Sequence, residues 1–162
     1  MSRIASFSMC LVMICVLLLA CGKKEEQEVS LEASVLPLTD EQYDKIRTSG
    51  LPNPVKDDFR KVTVHVEARH LTDSEAVIDG PEFSKWQQSI DSYDQTDRFW
   101  DGSSSDTATS YTSEIIIYSK GLSDEDIKKA FSEVAISVPA AKEDGRTRVY
   151  HVSDYFVFDY TD

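Results

Sequence analysis

The sequence predicts an α+β domain, an antiparallel sheet with about three short helices packed on it. Three stretches carry this reading. Val62-Thr63-Val64-His65-Val66-Glu67-Ala68 alternates strictly between apolar and polar side chains, the period of a strand with one buried face. Phe83, Trp86, Ile90 and Tyr93 recur at three- and four-residue steps, the apolar stripe of a helix. Leu122-Ser123-Asp124-Glu125-Asp126-Ile127 has the residues of a helix start in their proper order. A β-sandwich with helical crossovers is the alternative arrangement of the same elements. No internal repeat is visible.

Taken in order, the first element of the domain begins at Thr39. Its hydroxyl is a good N-cap, Gln42 completes a capping box, and Leu38 and Tyr43 form the two ends of a hydrophobic staple. This helix should stop near Gly50, after which Pro52 and Pro54 force an extended connection. In the strand from Val62, the residues Val62, Val64, Val66 and Ala68 face the core, while Thr63, His65 and Glu67 face solvent or a second layer. Asp79-Gly80-Pro81 then marks a turn with proline poised at the first helical position of the Phe83–Tyr93 stripe.

Residues 101–110 are rich in Gly, Ser, Asp and Thr and read as a loop. Ser113 to Tyr118 follows with Ile115-Ile116-Ile117, apolar on both faces, as in a central strand. In the helix after it, Ser123 caps and three acids complement the positive end. Leu122 staples against Ile127, and Ile127, Ala130, Phe131 and Val134 form the buried stripe. Ile136-Ser137-Val138 and Arg146 to Val152 flank a turn at Asp144-Gly145, the pattern of a hairpin. Tyr155 to Tyr160 closes the domain as a strand with Phe156, Phe158 and Tyr160 on one side.

The organisation is therefore a leader (1–20), a tether (21–37) and one domain (38–162). The leader bears Arg3, then an apolar core from Met9 to Leu19 within the roughly 7–15 residues of an export signal. A signal-anchor helix is the competing reading, but the uncharged run from Ile4 to Ala20 falls short of the ~20 residues that span a bilayer. An ordinary secretory signal would leave Cys21 a lone free thiol. Leu18-Leu19-Ala20-Cys21-Gly22 resembles the lipobox of bacterial lipoprotein precursors. That resemblance covers the N-terminal segment alone. It implies cleavage before Cys21, acylation of its thiol and a domain anchored in the bilayer, facing outside the cytoplasm. Two or three chains on one residue make such an attachment stable, since each buried CH₂ contributes about 0.8 kcal/mol. Residues 22–36, opening Gly22-Lys23-Lys24-Glu25-Glu26, are charged and read as the flexible tether that follows.

Composition limits the function. The chain carries 29 acidic against 17 basic residues, a net charge of −12, which disfavours nucleic acid and anionic surfaces as partners. Its 41% hydrophobic and 10% aromatic content is that of a folded module. Cys10 and Cys15 lie in the leader and Cys21 at its end, so the domain has no thiol for a disulfide, a nucleophile or a zinc site.

Candidate sites are few, and no cofactor is implied. His65, Glu67 and His151 could meet as a metal site if their strands were adjacent, although none of the familiar ligand spacings is present. The third histidine, His70, joins no such set. Asp91, Asp94, Asp97 and Asp101 lack the alternate-position acids of a calcium loop and read as solvated surface. Gly-x-Ser-x-Gly is missing, and so is a phosphate-cradling glycine loop. Phe99 and Trp100, beside a polar loop, could anchor a partner or simply pack. Two functions follow. One is a lipid-anchored, non-catalytic domain that binds an envelope protein or another envelope component. The other is a small metal-dependent or hydrolytic enzyme built on His65, Glu67 and His151.

Overall fold

The computed structural model describes residues 27–69, 77–139 and 146–160. Cys21, the leader, His70 and the Asp144-Gly145 turn lie outside the described residues. The fold is α+β. Its strands are β1 (Glu28–Pro37), β2 (Phe59–Arg69), β3 (Phe99–Asp106), β4 (Ser110–Tyr118), β5 (Ala135–Val138), β6 (Arg148–His151) and β7 (Phe156–Phe158). Its helices are α1 (Asp40–Lys45), α2 (Phe83–Asp94) and α3 (Asp124–Ala130). One sheet has the order β3-β4-β2-β1-β7, and β5 pairs with β6 in a second.

Most of the segment expected as a tether is a strand. Residues 28–37 form β1, paired antiparallel with β2 from Glu28↔Arg69 to Pro37↔Arg60. Val29, Leu31, Ala33 and Val35 point to the core, and the glutamates and serines between them take the other face. Those polar residues give the segment the composition of a linker and hide a period of two.

The sheet is mixed, not wholly antiparallel. β7 lies parallel to β1 through Ala33↔Phe156 to Val35↔Phe158. β7 is also shorter than expected. Tyr160 lies beyond it, with Arg60 over its ring and its hydroxyl donating to Asp124. Residues 101–110, expected as a loop, supply most of β3 and the turn to β4. Their side chains have little strand preference, and the backbone ladder to the apolar β4 orders them instead. Gly102 permits this approach, since a Cβ there would stand 2.8 Å from the Glu114 carbonyl oxygen.

Local signals place the helix starts well. Thr39 and Gln42 form the expected capping box of α1, and Ser123 forms one with Asp126 at α3. However, α1 stops at Lys45, where Ile46 turns extended, and α2 begins at Phe83, so Pro81 lies just outside it.

The core lies on one face of the five-stranded sheet. Val35, Val62, Val64, Val66, Ile115 and Ile117 meet Trp86 and Ile90 of α2, Ile127 of α3, and Phe131, Ile136 and Val152. On the opposite face, Thr63, His65, Glu67, Thr112 and Glu114 stay at least partly exposed. One end of that face is closed by a separate cluster, where Tyr43 of α1 meets Phe59, and Phe59 meets Tyr118 and Trp100. No described helix is long and apolar enough to cross a membrane.

One buried clasp joins the helical layer to the sheet. Tyr111 of β4 accepts from the Trp86 indole at 2.9 Å and donates to the Pro81 carbonyl at 3.0 Å. Its ring lies so close to Gly80 that a Cβ there would stand 2.0 Å from a ring carbon. Tyr111→Phe should lower the urea-unfolding free energy by about 1–3 kcal/mol, because it orphans a buried donor and a part-buried acceptor. Gly80→Ala should cost at least as much through steric displacement of the ring. Unchanged midpoints for both variants would show that the clasp is dispensable.

Candidate functional site

The proposed metal ligands do not meet. His65 and Glu67 stand on β2, whose neighbours are β1 and β4, whereas His151 ends β6 in the other sheet. Each has a local partner. His65 Nδ1 lies 3.0 Å from the Thr112 hydroxyl, Glu67 pairs with Arg69 at 3.2 Å, and His151 Nδ1 lies 3.0 Å from the Ser132 carbonyl. Among the described residues, no three His, Cys, Asp or Glu side chains converge to hold a metal ion.

Phe99 and Trp100 are both half-buried packing residues with an open side. Phe99 meets Phe83 of α2 edge-on at 4.9 Å. Trp100 sits at the bulge in β3 and packs against Phe59 at 5.6 Å, with Tyr118 at 6.5 Å. Their open side lines a shallow groove of about 400 Å³ with Lys45, Ile46, Arg47 and Asp101.

What fixes β3 in place is an arginine that the sequence reading passed over. Arg98 is only 9% exposed, so its charge needs partners. Its guanidinium forks onto Asp94, with Nε at 2.9 Å and Nη2 at 2.5 Å from Oδ2, and Nη1 donates to the Tyr118 and Lys120 carbonyls. Asp91 accepts the backbone N–H of both Arg98 and Phe99 at 2.7 Å. Two of the acids expected as solvated surface therefore tie the end of α2 to the start of β3. The four-residue spacing of Asp94 and Arg98 is the signal that could have revealed it.

The remaining acids of this segment differ. Asp97, Asp101 and Asp106 have no cation within ion-pair distance among the described residues, although Asp101 accepts from the Gly102 N–H at 2.8 Å. Elsewhere, Asp40 meets Lys56, Asp58 meets Lys120 and Glu114 meets Lys61. β3 itself is an edge strand, and Ser103 to Asp106 are exposed along it. The site that emerges is an open acidic edge, without direct ion pairs at Asp101 and Asp106, rising to an aromatic end. No protein-family model, curated protein or solved structure matches this chain.

Acid should loosen this end first. The Arg98 fork holds the Asp94 carboxyl at about 2, below its ordinary 3.8, and the Ser123 and Tyr93 hydroxyls hold Asp126 at about 2. A depressed carboxyl stabilises the fold above its unfolded value and loses that contribution as pH falls through the folded one. Thermal melts should therefore decline between about pH 4 and pH 2, and Asp94→Asn should flatten the decline. An identical slope in that variant would remove Asp94 from the account. Trp100→Ala should cost about 3 kcal/mol or somewhat less, given its half-exposure, and should leave α2 intact by circular dichroism.

Proposed function

We propose that this chain is a lipid-anchored, non-catalytic binding module that meets a protein partner at the bilayer surface. The observation that carries the reading is how directly its first strand follows Cys21. β1 begins at Glu28, and the six peptide steps from Cys21 to Gln27 reach roughly 20 Å at most. The domain then hangs from the acylated cysteine by one end of its sheet. Glu28, Arg69, Asp106 and Ser110 share that end through the strand pairings. The aromatic end, with Phe59, Trp100 and Tyr118, lies at the other end of the strands, roughly 30 Å further out for ten residues.

Two further points support a binding role over an enzymatic one. The residues an enzyme reading relied on, His65, Glu67 and His151, are spent on separate local hydrogen bonds. The net charge of −12 favours a partner that is neither nucleic acid nor an anionic lipid face.

Metabolic labelling with an alkyne fatty acid should mark the wild-type protein in the membrane fraction. Cys21→Ala should lose the label and either leave the membrane or persist as uncleaved precursor, with an unchanged melting curve. A labelled Cys21→Ala variant would end the reading. In bilayer discs carrying a headgroup nitroxide, a fluorophore at Thr109 should be quenched more than one at Arg47. The reverse order would invert the proposed orientation.

A further inference from the structure

We propose that the free edge of β3 is a docking edge for an extended, basic segment of a partner polypeptide, which adds to the sheet as a sixth strand. An edge strand presents the N–H and C=O groups of alternate residues to whatever lies beside it. The sheet has two such edges. β7 offers only three residues, whereas β3 offers eight. Within β3 there is no proline to remove a donor and no lysine to ward off a neighbour, the devices that commonly guard an edge. Gly102-Ser103-Ser104-Ser105 carries small side chains, so an incoming strand can approach without rearranging anything.

Charge selects the occupant. Asp101 and Asp106 bracket the small residues, both exposed and neither with a cation within ion-pair distance among the described residues, although Lys45 and Arg47 line the groove beside Asp101. A second copy of this chain is a poor fit. In the fully overlapped antiparallel register about Ser103 and Ser104, Asp101 of each copy would lie opposite Asp106 of the other. Like charges directly opposed across a ladder repel. A segment with lysine or arginine at those two places gains attraction where a second copy meets repulsion. The acidic chain also raises the rate at which a basic partner arrives.

This inference rests on the binding-module reading for supposing a protein partner, but it is tested without the anchor. The probe is a synthetic peptide of alternating Thr and Val with two lysines five residues apart, added to the full Cys21→Ala chain and to the wild type in detergent. Amide exchange should slow at outward-facing positions between Gly102 and Asp106 and remain unchanged in β7. A peptide with glutamate in place of lysine should not bind. The double variant Asp101→Lys/Asp106→Lys should weaken the lysine peptide by about tenfold, each of two attractions having become a repulsion, and should bind the glutamate peptide instead. Binding of the glutamate peptide also reports that the variant is folded. Absence of binding, protection outside β3, or equal affinity of both peptides for the wild type would overturn the inference. Acyl labelling decides the anchor separately, so either proposal can fail alone.

Discussion

A single phenol sets the relation between the two layers of this protein. Tyr111 projects from β4 into the core, where its hydroxyl is both acceptor and donor, and its ring fills the space that Gly80 leaves open. Apolar packing holds α2 against the sheet but is indifferent to small slides. Two directional bonds from one atom of a buried side chain remove that freedom. With α2 located, Asp91 and Asp94 at its end are carried to where Arg98 and Phe99 must start β3. The clasp in the core thus determines where the polar edge strand lies.

The sequence made the helices legible because their signals are local. A cap, an acid or amide three residues on and an apolar stripe are read within a dozen positions, and Thr39 and Ser123 both cap as they should. β2 and β4 were legible for a similar reason, since burial on one or both faces leaves an unbroken pattern. β1 and β3 were not. In β1 the wet face is glutamate and serine, which imitate a linker, and in β3 most of the side chains favour turns. Both are strands by virtue of their neighbours: β2 lies far along the chain from β1, and β4, though it follows β3 after a short turn, supplies a ladder that the side chains of β3 do not announce. Pairing partners are absent from a one-dimensional pattern. The parallel approach of β7, and the separation of His151 from His65, follow from pairings of that kind.

The acids divide into two populations that composition cannot tell apart. Some are structural, held by an arginine, a lysine or a capping hydroxyl, with Asp94 and Asp126 the most firmly ionised. Others, Asp97, Asp101 and Asp106 among them, face water, the last two along the edge strand. An excess of negative charge slightly opposes compaction, and it also discourages identical molecules from joining edge to edge. Serine and aspartate on β3 combine a strand-forming backbone with a surface that does not promote aggregation.

The place of β1 within the sheet also has a mechanical meaning. It is the first described strand, yet it lies between β2 and β7 and not at an edge. A pull on the chain from its N-terminal side acts along β1, parallel to the strand axis. Ten antiparallel register pairs with β2 and three parallel pairs with β7 then share the load in shear. They must yield together, whereas a strand peeled from an edge releases its bonds one at a time. The rate of forced unfolding is set by that barrier and not by the modest equilibrium stability of a small domain. A domain joined to its support through such a strand would stay folded under tension from that side.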